Sequence, residues 1–208
     1  MTRLLNIGIL ISGRGSNMEA IIKHVQKRRV PANLAVVISS RSDARGLRIA
    51  ERLGVDTEVV ESRGFSGTRK EYDRKVMAAL RRHGVTRRDG LVCLAGFMRI
   101  IGPECVKRYK HRMLNIHPAL LPSFRGIDAQ KQALEYGAKV SGCTVHLVDE
   151  GTDTGPVVAQ SVVQIREDDT EESLSKRILA REHKIYPYTV ELFARGKIQV
   201  KGRRVCVG

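Results

Sequence analysis

The chain opens on a nearly unbroken apolar run, Leu4–Ser12, which stops at Gly13-Arg14-Gly15-Ser16-Asn17. A run of this kind suits a parallel strand buried on both faces. Apolar positions then recur at Met18, Ile21, Ile22 and Val25, the stripe of an amphipathic helix, with Ser16 and Glu19 spelling a capping box at its start. The alternation continues. Leu34–Ser39 reads as a strand, Ala44–Leu53 as a helix closed by Gly54, and Thr57–Val60 as a short strand. Thr68 and Glu71 open a helix that runs to about His83-Gly84, and Leu91–Ala95 is the most apolar strand of the chain. Pro103 starts a short helix, and Met113–Ile116 is a strand that delivers Asn115 and His117.

The second half is looser. Pro118 to Gly126 is a loop, Asp128–Tyr136 a helix, and Cys143–Val148 and Val157–Ile165 are strands. The loop between those strands, Asp149-Glu150-Gly151-Thr152-Asp153-Thr154-Gly155-Pro156, is long for a simple connection. Thr170–Ala194 is a long helix that Pro187 is expected to bend, and Ile198–Val200 with Arg204–Val207 make a terminal hairpin. Repeated strand–helix units predict a three-layer α/β fold around a mainly parallel, twisted sheet. The expectation is one domain, 1–208, whose C-terminal helix and hairpin occupy about residues 170–208.

Composition narrows the class. Hydrophobic residues make up 42% of the chain but aromatic residues only 4%, so the core must be aliphatic. No apolar run reaches eighteen residues and the N-terminus lacks a signal-peptide layout, so no membrane association is expected. Cys93, Cys105, Cys143 and Cys206 have no metal-ligand spacing and read as small hydrophobes of a reducing, cytoplasmic compartment. No metal is expected. Lys and Arg number 37 against 22 Asp and Glu, a formal charge of +15. The basic residues cluster at predicted helix C-termini and in connections, without interleaved aromatics. That arrangement favours attraction of small anions, or simple lineage composition, over specific nucleic-acid recognition.

The candidate chemistry centres on Asn115-Ile116-His117-Pro118, with Asp153 following 153 − 117 = 36 residues later. Residues two apart on a strand share a face, so an amide donor and an imidazole project side by side. Such a pair suits an oxygen that becomes negative during acyl-type transfer, and a carboxylate from another loop would favour the charged imidazole. The competing reading is a turn whose Asn and His are satisfied by backbone. Gly13–Asn17 is either a phosphate cradle at a helix N-terminus or only a tight strand-to-helix turn. With Met18 where GxGxxG needs its third glycine, a single phosphate suits it better than a dinucleotide. His146 lies in an apolar strand and reads as a structural histidine; Glu182-His183 reads as an exposed helical pair; His24, His83 and His111 read as solvated. No G-x-S-x-G elbow supports a serine triad.

Together, Ile11–Asn17, Leu94–Ile101, Asn115–Pro122, Asp149–Pro156 and Glu182-His183 resemble the folate-dependent phosphoribosylglycinamide formyltransferases, nearly end to end. The resemblance implies the Rossmann-like formyltransferase fold. It implies transfer of a formyl group from 10-formyltetrahydrofolate, as co-substrate, to glycinamide ribonucleotide in purine synthesis, with no metal. It assigns Asn115, His117 and Asp153 to catalysis. Gly15, Ser16 and Asn17 would hold the phosphate, Glu182 the ribose side, and Pro118 would line that site. Arg69, Met98, Arg99, Ile100, Ile101, Asp149, Glu150 and Gly151 would contact the folate. Ser141 stands where some members carry histidine. The implied partners are small molecules alone, with no specific nucleic acid, for a monomer or homodimer. Two relatives use related chemistry. A formyltetrahydrofolate hydrolase would carry a preceding regulatory domain, and a methionyl-tRNA formyltransferase a following RNA-binding domain; a strand starting by Leu4 and an end at Gly208 set the expectation against both.

Overall fold

The computed structural model describes residues 4–208; the first three positions of the expected domain lie outside the described residues. Among the described residues, nine strands and six α-helices follow in chain order: β1 (Leu5–Ile11), α1 (Ser16–Arg28), β2 (Ala32–Ser39), α2 (Arg45–Arg52), β3 (Thr57–Val59), α3 (Arg69–Arg82), β4 (Gly90–Leu94), α4 (Pro103–Arg108), β5 (Met113–His117), α5 (Ala129–Glu135), β6 (Val140–Leu147), β7 (Val157–Gln164), α6 (Glu171–Ala194), β8 (Ile198–Lys201) and β9 (Arg204–Val207). Seven strands form one sheet, ordered β3-β2-β1-β4-β5-β6-β7, and β8 pairs with β9 as the expected hairpin. β1 to β5 are parallel; β6 and β7 join antiparallel. The order reverses between β1 and β4, the place where such sheets open a crevice at their carboxyl edge.

Helices cover both faces. On one, α1, α2 and α6 bury Met18, Ile22, Leu47, Ile178 and Val190 with Ile9 and Cys93. On the other, α3 and α4 bury Tyr72, Val76, Leu80 and Val106 with Leu10 and Val92. Cys93, Cys105 and Cys143 are buried free thiols, as expected, and Cys206 is exposed. No helix among the described residues is long and apolar enough to cross a membrane.

A buried polar contact ties α6 to the middle of the sheet. The fully buried Tyr186 hydroxyl donates between the Leu94 carbonyl at 3.1 Å and the Leu114 carbonyl at 3.0 Å, joining the end of β4 to the second residue of β5. The helix continues through Pro187 without interruption. Both halves of the Thr68–Glu71 capping box form and fix where α3 begins. The Ser16–Glu19 box does not form. Gly15, in the left-handed conformation, caps α1 with no side-chain bond, and Glu19 turns to Lys23 at 2.6 Å instead.

Candidate active site

β5 ends at the carboxyl edge, with Asn115 beside Leu94 of β4 and His117 two residues further on. β6 passes beside His117 and ends beside Leu114, so the loop after it departs three residues back from that edge. Asp153 nevertheless reaches the cluster, from a left-handed conformation (φ 52°) that Asp tolerates better than most residues. Its Oδ2 lies 3.3 Å from His117 Nδ1 and accepts the Gly126 N–H at 3.0 Å. Its Oδ1 accepts the Asn115 amide at 3.4 Å and lies 3.4 Å from His146 Nε2. The three residues expected to act together are therefore brought together.

His146 belongs to the same cluster, which corrects its reading as a structural histidine. It sits directly across from Asn115 in the β5–β6 ladder. Its Nδ1 lies 3.0 Å from the Leu147 carbonyl, and its Nε2 lies 3.2 Å from the Asn115 amide nitrogen and 3.4 Å from Asp153 Oδ1. The Asn115 amide thus faces both His146 and Asp153 within the cluster. The 3.4 Å bond to Asp153 is the longer one, and the one an incoming oxygen can replace.

His117 Nε2–H donates to the Phe124 carbonyl at 2.7 Å. Phe124 holds a positive φ of 51°, costly for a bulky residue, in the loop that places this acceptor. Nδ1 is therefore the nitrogen that faces Asp153. The expectation of a raised imidazole pKa is overturned. Burial lowers it, and the pull of the Phe124 carbonyl and the Asp153 charge does not make up the loss; the neighbouring His146 lowers it further. Asp153 stays an anion: burial lifts its carboxyl, but His146, the Gly126 N–H and His117 together outweigh burial and hold it below its ordinary range. The free protein thus presents an imidazole whose charged form burial disfavours, beside a carboxylate held below its ordinary range.

The glycine turn lies at the other side of the crevice. Gly15 has φ 74°, and a Cβ there would lie 2.8 Å from Gly46 Cα, so glycine is required by the fold itself. Ser16 and Asn17 open α1, whose first-turn N–H groups favour an anion. The Asn17 amide donates to Glu182 Oε2 at 2.7 Å, and both residues are buried. This corrects the reading of Glu182 as exposed. Burial raises its carboxyl pKa, partly offset by Asn17. Asn17 Oδ1 and His183 Nε2 are buried with no hydrogen-bond partner among the described residues, leaving polar atoms for a polar ligand. Pro118 is half-buried directly after His117.

Of the residues expected to contact the folate, Arg69 alone lines a cavity of about 580 Å³, together with Lys70, Asp73, Gly102 and Lys107 among others. Arg69 is the first residue of α3. Between β4 and α4, Met98 is 77% exposed and Ile100 67% exposed, while Ile101 is buried. Arg99 does not face the cavity lining; its guanidinium lies 4.4 Å over the Tyr72 ring. Asp149 Oδ1 closes its own loop by accepting from the Gly151 N–H at 3.2 Å and the Thr154 hydroxyl at 2.5 Å. Glu150 pairs with Lys107 at 3.6 Å, linking that loop to α4. Of the other histidines, His24 and His83 are paired with Glu191 and Glu58 rather than simply solvated, and His111 is exposed.

Residues 5–190 match the model of the formyl transferase family. The chain is 41% identical over 206 residues to the trifunctional purine biosynthetic protein adenosine-3 of Gallus gallus, covering 99% of this chain but only 20% of that protein. It is 37% identical to phosphoribosylglycinamide formyltransferase of Escherichia coli, covering 94% of this chain and 90% of the relative. The crystal structure of glycinamide ribonucleotide transformylase 1 from Symbiobacterium toebii superposes with a TM-score of 0.93 at 45% identity, covering 100% of this chain and 95% of that one. The strand order, the crevice and the cluster at the end of β5 thus occur in a chain that belongs to the formyl transferase family, among the phosphoribosylglycinamide formyltransferases.

Proposed function

We propose that this protein transfers the formyl group of 10-formyltetrahydrofolate to the amine of glycinamide ribonucleotide, giving N-formylglycinamide ribonucleotide and tetrahydrofolate on the route to IMP. The observation that carries this reading is the convergence of Asn115, His117 and Asp153, with contacts of 3.3–3.4 Å, at the crevice of the sheet. The amine attacks the formyl carbon, whose oxygen gains negative charge as the bond to the folate nitrogen breaks. Asn115 turns an amide hydrogen from Asp153 to that oxygen. Burial disfavours the charged form of His117, which leaves Nδ1 to take the proton the amine must lose. The imidazolium that forms then lies beside the Asp153 carboxylate, and passes its proton to the departing nitrogen. The protein's acids and bases balance without a covalent intermediate. Much of the acceleration comes from holding both reactants at one edge.

The ribonucleotide phosphate sits on Gly15, Ser16 and Asn17, its ribose by Glu182 and its amine past Pro118. The unpartnered buried atoms of Asn17 and His183 support that side. The folate lies against Met98, Ile100 and Ile101, with Arg99 braced on Tyr72, and against Asp149, Glu150 and Gly151. Its carboxylate tail lies toward Arg69. The exposed apolar side chains of Met98 and Ile100 support this assignment. The enzyme works in the cytoplasm, as a monomer or homodimer, on small molecules alone. Incubation with 10-formyltetrahydrofolate, with and without glycinamide ribonucleotide, tests the reading. Loss of formyl only when the amine is present is expected. Equal loss without it would make the protein a hydrolase.

A further inference from the structure

We infer that Ser12 and Asp73 are positioning residues for the folate co-substrate, clamping the two ends of the Met98–Gly102 segment through its main-chain N–H groups. The inference rests on the assignment of Met98–Ile101 to the folate. The segment connects β4 to α4 outside both elements, so it needs other partners for its backbone. Two side chains supply them. The Met98 N–H donates to Ser12 Oγ at 2.8 Å, and the Gly102 N–H donates to Asp73 Oδ2 at 2.7 Å. Ser12 is 5% and Asp73 2% exposed, so neither bond is diluted by solvent.

The clamps come from different directions. Ser12 follows β1 and shares a hydrogen bond of 2.7 Å with Ser40 beyond β2, so it reaches across the reversal point between β1 and β4. Asp73 belongs to α3, whose Tyr72 also carries the Arg99 guanidinium. The fit at Gly102 is close: a Cβ there would lie 2.5 Å from Asp73 Oδ2 and 3.3 Å from Arg69 Nε. Between the clamps, Met98 and Ile100 are held out in solvent. Apolar side chains on a backbone fixed at both ends form a surface ordered before its ligand arrives, which lowers the cost of binding.

The test compares Ser12→Ala, Asp73→Ala and Asp73→Asn, the last of which keeps an acceptor for the Gly102 N–H. Gly102→Ala displaces Asp73 by another route, should Asp73→Ala fail to fold. Amide hydrogen exchange at positions 98 and 102 is read alongside KM for each substrate and kcat. Loss of either clamp is expected to speed exchange at its own amide and to raise KM for 10-formyltetrahydrofolate about three- to tenfold, the net worth of one hydrogen bond. KM for glycinamide ribonucleotide and kcat should stay as in the wild type, and Asp73→Asn should restore both exchange and KM. Wild-type exchange at both amides in Ser12→Ala and Asp73→Ala would overturn the clamps. Faster exchange with an unmoved folate KM would also overturn the inference, and would locate the failure in the folate assignment. A parallel rise of both KM values, or no rescue by Asp73→Asn, would reduce the two residues to general structure or charge.

Discussion

His117 has acceptors against both ring nitrogens, yet its burial disfavours the charge that would satisfy both. It should therefore titrate below the ordinary value of about 6.5, and Asp153→Asn, which deletes the one upward pull of a charge, should lower it further. NMR titration of the ring in both proteins checks this; an unchanged midpoint would confine Asp153 to holding the Gly126 loop. A histidine pKa depressed in the folded state leaves stability intact above the unfolded value and removes it as pH falls below that value. Asp153, also depressed, acts in the same direction at lower pH. Asn115→Ala should lower kcat about 10²–10³-fold, the usual cost of one oxyanion donor, in a protein that unfolds at a near-normal temperature. Near-normal turnover would remove Asn115 from the chemistry. Asn115 and His117 were legible because period two is a local signal. His146 was not, because only the antiparallel register sets it opposite Asn115, and no local pattern encodes that pairing. Glu182 carried an overlooked signal: it falls in the four-residue series Leu174, Ile178, Tyr186, Val190, all buried on one face of α6.

At the scale of elements, the strand–helix alternation predicted the layers because each element's apolar period is written in its own residues. The antiparallel turn of β6 and β7 was not visible in that way, since direction depends on the path of the intervening loop and helix. The Ser16–Glu19 box failed for a physical reason: the left-handed Gly15 already turns the chain into α1. Tyr186 is the element-scale contact with most at stake. Its hydroxyl is the donor that β4 and β5 share with α6, and Glu182 stands one turn before it. Tyr186→Phe should destabilise the protein by about 1–3 kcal/mol, the cost of leaving buried acceptors unsatisfied, and should raise KM for the ribonucleotide more than for the folate. Denaturant unfolding and paired KM measurements decide it. An unchanged unfolding midpoint would mean that packing alone seats α6.

Over the whole molecule, part of the +15 charge sits at helix C-termini. Lys27, Arg28, Arg52, Arg81, Arg82, Lys107 and Arg108 occupy the last turns of α1 to α4, where cations complement the helix dipole. Binding to RNA or DNA should therefore be non-specific and fall steeply with salt; tight, sequence-selective binding at physiological ionic strength would contradict this. The layered build has a consequence for how the enzyme can change over time. Asn17 and Glu182 stand on helices of one face, while Arg69, Asp73 and Ile101 belong to the other, with the sheet between. Ile178→Val should then disturb mainly the hold on the ribonucleotide and Val76→Ala mainly that on the folate, the double variant showing the sum of the two. Strong non-additivity would mean the sheet transmits what it was taken to separate. With the sheet as a partition, each affinity has its own reservoir of neutral core substitutions, and a lineage can drift in one without being forced to compensate in the other.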